Sequence, residues 1–185
     1  MKFSALLLLV AGTVWAQPQI AKTAVLKATT PLNKAFKIAP QTFRDLERRF
    51  DGRLATLAPE VNEPTDLLGN TRGLYVEGCG VVFTAELSLI KTPELSPFLH
   101  EIPKELADRV HKRRLERLPL LKTAMKEMLD AMARTFLQIP DDQQVVLAVR
   151  LYYSTWESSA GMPAQVMMRA TRADAQLGKI IEEVQ

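Results

Sequence analysis

The stretch that decides the fold reads RGLYVEGCGVVFTAELSLI and occupies residues 72–90. From Val81 onwards apolar residues alternate with mostly polar ones, and a period of two is typical of a strand with one buried face. A shorter β-prone run at residues 74–76 precedes it, and the sequence EGCG at residues 77–80 separates the two runs. Because glycine readily adopts the positive φ that a tight turn needs, the stretch predicts a β-hairpin with a loop of about four residues.

Cys79, the only cysteine of the chain, lies in this turn. One interpretation is an activated thiol, since glycines on both sides would let a substrate approach closely. A thiolate nucleophile needs a base, and the chain offers only His100 and His111. No cysteine-hydrolase motif surrounds Cys79, and a lone cysteine more often behaves as a small hydrophobic residue. Cys79 is therefore the one catalytic candidate, for an alternative function as a thiol-dependent enzyme or redox protein.

The N-terminus predicts export through a signal peptide over residues 1–16. Lys2 supplies the positive start, residues 5–14 supply the apolar core, and the small-residue sequence that ends at Ala16 supplies the cleavage pattern. An apolar core of about ten residues is too short to cross a bilayer as a helix, and we expect no transmembrane helix after cleavage. The mature protein is expected in the periplasm or outside the cell.

Export and composition narrow the classes of function. The formal net charge is +3, and loss of Lys2 with the signal peptide lowers it to +2. Such a mild positive charge does not argue for nucleic acid, which an exported protein seldom meets. A single cysteine excludes an intramolecular disulfide, so the mature chain depends on its hydrophobic core.

One domain is predicted after a less ordered leader. Residues 17–40 are rich in Lys, Thr, Ala and Pro without a regular period, and we expect an extended or flexible segment there. Residues 41–58 predict the first helix, because their large apolar residues recur at spacings of three and four, and Pro59 ends it. A single α+β domain is predicted over residues 41–185.

A long helical region follows the hairpin, over residues 95–137. Ile102-Pro103 is a helix-start signal, with proline at the first helical position. Pro119 is expected to kink or split the helix, since proline removes one hydrogen bond and clashes with the preceding turn. The apolar stripe after Pro119 is expected to pack against the sheet. This stripe comprises Leu121, Met125, Met128, Leu129, Met132 and Phe136.

The densest run of charge lies in this helical region, between Arg109 and Arg117. One interpretation is attraction to anionic lipid head groups or acidic polysaccharide, with Arg113 and Arg114 as candidate binding residues. The other is a solvated helix face whose arginine stems cover apolar neighbours. The sequence that follows His100 is not H-E-x-x-H, and two histidines make no zinc site, so neither a metal nor a cofactor is predicted.

A second strand pair is predicted near the C-terminus. Residues 145–154 alternate with apolar side chains on much of both faces, which is typical of a central strand. A loop over residues 155–162 leads to a return strand at residues 163–170. A short C-terminal helix is predicted from Arg172 to about Gly178.

Trp156 and Glu157 stand at the mouth of the second loop. An aromatic residue beside a carboxylate is a candidate ligand contact, although such a residue more often caps the core at a strand end. Both are candidate binding residues on that basis. Neither Ser158 nor Ser159 has the G-x-S-x-G context of a hydrolase nucleophile.

The order of the elements predicts an α+β fold. Two β-hairpins form an antiparallel or mixed sheet, with a long helix between them, a helix before them and a short helix after them. The sequence contains no glycine-rich phosphate loop and no run of βαβ units, which argues against nucleotide binding.

The segment LYVEGCGVVFTAELSL, taken with the signal peptide, the basic helix and the segment VVLAVRLYYS, resembles small exported bacterial proteins of uncharacterised function. In those proteins a segment like YVxGxGVVF precedes a helix and a second hairpin. The resemblance covers roughly residues 71–179. It implies the α+β fold and supplies no catalytic residue.

Three functions compete at this point. The leading hypothesis is an exported, non-catalytic domain that binds a protein or another component of the cell envelope, because export is indicated and the sequence shows no catalytic constellation. An exposed apolar patch or an open sheet edge would favour it, above all near residues 152–162. The alternatives are thiol chemistry at Cys79 and the binding of anionic lipid or polysaccharide through the helix from Arg109 to Arg117.

Overall fold

Six strands and three helices make up the part of the chain that the computed structural model describes, which covers residues 37–57, 64–91 and 102–185. The predicted signal peptide and most of the predicted segment 17–40 lie outside these residues. In chain order the elements are α1 (Pro40–Ala55), β1 (Asp66–Leu67), β2 (Arg72–Val76), β3 (Gly80–Ser88), α2 (Lys104–Thr135), β4 (Gln144–Leu151), β5 (Gln165–Thr171), α3 (Arg172–Gln176) and β6 (Ile181–Val184).

The strands form one mixed sheet in the order β1-β3-β4-β5-β6, with β2 also paired to β3. The hairpins β2–β3 and β4–β5 are antiparallel, and they join through a parallel pairing of β3 with β4. The predicted α+β fold, with a long helix between two hairpins, is therefore confirmed. The short edge strands β1 and β6 are additions that the sequence analysis did not predict.

The helices of the described residues share one hydrophobic core with one face of the sheet. Because side chains alternate along a strand, Phe83 in β3, Leu147 in β4 and Met168 in β5 point into this core and are fully buried. The residues between them point the other way, where no helix of the described chain packs. That side is called the open face below. It carries Arg72, Leu74, Val82, Thr84, Glu86, Val146, Ala148, Arg150, Gln165, Met167, Arg169, Ile181 and Glu183, of which Val146 is buried.

Helix α2 is continuous over 32 residues, and Pro119 lies inside it. Of the two outcomes expected for this proline, splitting of the helix does not occur. Pro119 and Leu115 are both exposed, so the carbonyl group that loses its amide partner lies toward solvent. The methionine-rich stripe packs against the sheet as expected. Among the described residues, no helix is both long enough and apolar enough to cross a membrane.

Helix α1 covers the outer edge of β2 with two carboxylates. The amide of Thr71 donates to Oδ1 of Asp51 at 2.7 Å, and the amide of Gly73 donates to Oε1 of Glu47 at 2.9 Å. An unpaired strand edge is a template for pairing with another chain. These two bonds therefore occupy two of the amides that a further strand would need at this edge.

The turn between β2 and β3 depends on two glycines. Gly78 and Gly80 adopt φ angles of 78° and 129°, in a region that side chains disfavour. The amide of Cys79 donates to the carbonyl oxygen of Val76 at 3.0 Å, and the carbonyl oxygen of Cys79 accepts from the amide of Gln144 at 2.8 Å. A Cβ atom at Gly80 would overlap the carbonyl oxygen of Gln144, whereas one at Gly78 would meet nothing within 4 Å. The turn thus packs directly on the start of β4.

We expect Gly80→Ala to lower the free energy of unfolding by more than about 3 kcal/mol, because it adds a backbone clash to an unfavourable φ. Gly78→Ala is the matched control, since it carries the strain of the positive φ alone, about 1 kcal/mol. Urea unfolding of the purified variants, followed by circular dichroism, measures both losses. Equal losses in the two variants would contradict the clash.

Candidate functional site

A buried arginine connects the C-terminal ends of the two parallel strands. The side chain of Arg114, on α2, is fully buried. Its Nη1 donates to the carbonyl oxygen of Tyr152, just after β4, at 2.8 Å. Its Nη2 donates to Oγ of Ser88, the last residue of β3, at 3.0 Å. One planar guanidinium group thus bridges both strand ends, a task for which its rigid fork of donors is suited.

Glu157 supplies the counter-charge for this arginine. Nη2 of Arg114 lies 2.6 Å from Oε2 of Glu157, and each side chain is only 1% exposed. The guanidinium carbon lies 5.1 Å from the centre of the Tyr153 ring, a cation–π distance. Nearby, Nδ1 of His111 lies 2.9 Å from the carbonyl oxygen of Ser158. These contacts, called the Arg114 clamp below, hold the loop between β4 and β5 against α2.

The energetics of the clamp follow from its burial. Taking two charges out of water costs several kcal/mol for each ion, and their mutual attraction offsets that cost only while both are present. Within the described chain, Nε of Arg114 and both carboxylate oxygens of Glu157 have no hydrogen-bond partner, so the pair attracts by charge and is not fully satisfied by hydrogen bonds. Loss of either member therefore leaves a buried charge with little to compensate it.

We expect Glu157→Gln to lower the free energy of unfolding by about 3 kcal/mol, because it leaves the buried guanidinium without a counter-charge. Arg114→Met should cost a similar amount, since it isolates Glu157 and removes the donor to Tyr152. The double variant should lose less than the sum of the single losses. Urea unfolding of the wild type, the two single variants and the double variant measures this coupling.

Arg48→Met is the matched control for the clamp variants. Arg48 pairs with Asp45 at 2.5 Å, but the two side chains are 74% and 52% exposed. A solvent-exposed ion pair contributes less than about 1 kcal/mol, so this variant should unfold nearly like the wild type. Additive losses at Arg114 and Glu157 would show that the two side chains are not coupled.

Tyr153 borders the clamp in a half-buried position. Its hydroxyl group donates to the carbonyl oxygen of Pro163 at 2.6 Å. Burial raises the pKa of Tyr153 to about 12, against the opposing effect of the Arg114 charge. The folded protein therefore holds the phenol proton more tightly than the unfolded chain, in which the tyrosine pKa is about 10. Stability from this difference is complete below about pH 10 and is lost as the pH rises toward 12.

We expect the stability of the wild type to fall between about pH 10 and 12. The fall should be smaller in Tyr153→Phe, because the titrating hydroxyl group is gone. Thermal unfolding across this range measures the effect. Tyr152→Phe is the control, since Tyr152 is 56% exposed and its variant should keep the wild-type profile. A Tyr153→Phe profile identical to that of the wild type would contradict the assignment.

The structure separates Cys79 from His111. Cys79, which is partly buried, lies beside the first residue of β3, whereas His111 contacts the loop that follows the last residue of β4. Since β3 and β4 are parallel, these positions lie at opposite ends of the sheet, about 25 Å apart along the strands. The other histidine, His100, lies outside the described residues. Among the residues that are described, no group of three or more His, Cys, Asp or Glu side chains is placed to hold a metal.

The basic run divides between two environments. Arg114 and Arg117 are buried, and Nη1 of Arg117 donates to the carbonyl oxygen of Leu89 at 2.8 Å. The expectation of a solvated helix face does not hold for these two arginines. Arg113 is exposed and thus remains on the surface that the lipid hypothesis requires, while Arg114 does not. The other exposed cations of the run are Arg109 and Lys112.

The burial of these arginines has a signal in the sequence. Val110, Arg114, Arg117 and Leu121 follow one another at spacings of four, three and four, which places them on one helix face. That face continues the apolar stripe beyond Pro119. The sequence prediction considered Arg114 and Arg117 only as charged residues. It did not use their positions on the helix, which place them on the face that packs into the core.

The structure brings together two candidates that the sequence kept apart. Arg114 and Glu157 were weighed as binding residues on different elements, and they form the ion pair of the clamp. Trp156 lies beside Glu157 and is partly buried, and its side chain makes no hydrogen bond with a described residue. In the clamp, Glu157 and Arg114 therefore have a structural contact with each other.

A groove crosses the open face near the C-terminal ends of β3 and β4. Two cavities, of about 410 and 440 Å³, both have Glu86 and Arg150 in their linings. Nη1 of Arg150 lies 3.7 Å from Oε1 of Glu86, and their side chains are 73% and 59% exposed. Leu68 and Tyr152 line one end of the groove. Asn70, Arg72, Thr84, Ala148 and Gln165 line the rest.

Sequence reasoning did not single out this groove. Two of its three charged members, Glu86 and Arg150, stand at ordinary solvent-facing positions of predicted strands. They become neighbours only because β3 and β4 pair in parallel with Glu86 opposite Arg150. Tyr152 and Tyr153, which follow β4, are the parts of the groove that fall in the region where a binding surface was expected.

Only the sequence and the geometry of this chain bear on its function. No family model matches the chain, and neither a curated protein nor a solved structure matches it. The resemblance to small exported bacterial proteins therefore stays a prediction from the sequence. The arguments that follow rest on the residues described above.

Proposed function

We propose that the protein is an exported, non-catalytic domain that binds another protein, in the periplasm or outside the cell, through the open face of its sheet. The pattern of residues 1–16 supports export. The observation that carries the binding proposal is the open face itself, on which no helix of the described chain packs. A sheet face that carries exposed apolar as well as charged side chains is suited to a protein interface.

The apolar end of the groove supports a protein partner. Leu68 and Tyr152 are 47% and 56% exposed, so both keep much of their contact area available. Tyrosine is enriched at protein interfaces because its ring buries apolar area while its hydroxyl group still reaches a hydrogen-bond partner. Leu74, further along the open face, is 47% exposed and extends the apolar contact area.

The charge of the groove favours an acidic segment of that partner. Arg72 and Arg150 both line the groove, against one carboxylate from Glu86. The side chain of Arg72 makes no hydrogen bond or ion pair with any described residue, so its guanidinium group keeps all its donors. Arginine binds carboxylates through paired hydrogen bonds, which gives both attraction and orientation. An aspartate or glutamate side chain of the partner would meet these donors.

Site-specific photo-cross-linking in the cells of origin tests this proposal. A photoreactive benzoylphenylalanine in place of Tyr152 should give one discrete protein adduct in the envelope fraction. The charge reversals Arg72→Glu and Arg150→Glu, added to that probe, should weaken the adduct at least about fivefold, because they repel an acidic segment. Glu86→Gln should leave the adduct intact or strengthen it.

The control places the same photoreactive residue at Arg48, which is exposed on α1 in the helical layer. This probe should give no discrete adduct. Adducts of equal strength at both positions, or an adduct that does not respond to the charge reversals, would contradict the proposal. Recovery of the chain from the cytoplasm with residues 1–16 still attached would contradict its export.

A further inference from the structure

Strand β6 has one backbone edge that pairs with no strand among the described residues. The amide of Gln185 donates to the carbonyl oxygen of Gln165, and the amide of Gln165 donates back to the carbonyl oxygen of Gln185, both at 3.1 Å. In an antiparallel ladder such reciprocal pairs alternate with residues whose backbone groups point away. The backbone groups of Glu183 thus face β5, and those of Glu182 and Val184 face outward.

The outward-facing backbone groups of β6 have no hydrogen-bond partner among the described residues. No described residue bonds the backbone amide or carbonyl group of Glu182 or Val184. The opposite edge of the sheet is treated differently, because the carboxylates of Glu47 and Asp51 accept from the edge amides of Gly73 and Thr71. Helix α1 thus bonds two amides of one edge of the sheet, whereas no residue of the described ranges bonds the other edge.

The spacing of the outward groups identifies the kind of occupant. Two amides and two carbonyl groups, repeated about 7 Å apart along one line, match the backbone of another extended strand. The side chains beside them are Ile181, 54% exposed, and Val184, 50% exposed, which offer apolar contacts to such a strand. An extended peptide segment therefore fits this edge.

The two glutamates of β6 set the preferred side chains of that segment. Oε1 of Glu182 lies 2.6 Å from Nζ of Lys122, and Oε1 of Glu183 lies 2.8 Å from Nε of Arg169. Each carboxylate thus uses one oxygen within its own chain and keeps the second as an acceptor. Hydrogen-bond donors with positive charge satisfy those oxygens, whereas carboxylates would repel them.

A second copy of the chain is a poor occupant in the two registers that overlap most of β6, for the same reason. Antiparallel pairing of β6 with itself must place outward residues opposite outward residues. The register centred on Glu183 puts Glu183 opposite its own copy, and the register centred on Glu182 does the same for Glu182. Like charges directly opposite each other destabilise a strand pair.

We propose that the β6 edge binds an antiparallel strand of a partner protein whose four residues opposite Ile181–Val184 read apolar, basic, basic, apolar. This surface is separate from the groove around Arg150. The two proposals therefore succeed or fail independently.

Nuclear magnetic resonance of the purified protein with a capped peptide of sequence TVKKVT tests the inference. Saturating peptide should slow hydrogen exchange of the Glu182 and Val184 amides at least about tenfold, because they become bonded. The Glu183 amide, already bonded to β5, should change little. The peptide TVEEVT should bind at least about tenfold more weakly, because it places two carboxylates against the acidic edge.

Two variants sharpen the test. Val184→Pro removes an outward amide without removing a bond to β5, so the peptide should no longer protect the Glu182 amide. Glu183→Lys keeps the backbone edge and should shift the preference from TVKKVT toward TVEEVT. The binding of both peptides to Glu183→Lys can be measured even if Val184→Pro is unstable.

Three results would overturn the inference. They are unchanged exchange at Glu182 and Val184 with excess TVKKVT, equal affinity for the two peptides, and a wild-type dimer in sedimentation that Val184→Pro dissociates. The last result would assign the edge to a second copy of the chain. Loss of peptide binding at β6 with an intact Tyr152 cross-link would leave the groove proposal standing.

Discussion

The parallel pairing of β3 with β4 is the constraint on which the rest of the structure depends. Parallel strands cannot be joined by a tight turn, so the chain must travel back along the sheet between them. Helix α2 makes most of that return. Its 32 residues span about 48 Å, whereas the eight paired positions of β3 and β4 span about 26 Å. The helix therefore extends past the strand ends, and its overhanging turns carry His111 and approach the loop after β4.

The Arg114 clamp joins α2 to the strand ends at the point where the helix extends past them. The carbonyl oxygen of Tyr152 and the hydroxyl group of Ser88 both point into a region that helix and loop close off from water. An apolar residue at position 114 would pack there but would leave the carbonyl oxygen of Tyr152 without its donor, while the hydroxyl group of Ser88 would keep only the bond that it donates to the carbonyl oxygen of Ile90. Arginine supplies the donors from the helix face that otherwise carries the core stripe, and Glu157 supplies the counter-charge that makes its burial tolerable.

The elements with a long regular pattern could be predicted from the sequence, and the contacts between them could not. The alternation after Val81, the stripe from Leu121 and the alternation from Val145 each repeat often enough to identify a strand or a helix. Strand β6 has four residues and β1 has two, too few for a period to be recognised. The ion pair of Arg114 with Glu157 joins residues on separate elements, and neither residue carries a local sign of the other.

The long separation of β3 and β4 along the chain also bears on how the protein folds. Each hairpin, β2–β3 and β4–β5, brings together residues that are close in sequence, so the closure of its loop costs little entropy. The central pairing of Gly80 with Gln144 encloses the whole of α2 and closes a far longer loop. Such non-local contacts slow folding, because the entropy of closure is lost before the contacts form. The step that joins the two hairpins is therefore the slow one, and until it is complete the edges of β3 and β4 that later pair with each other stay exposed.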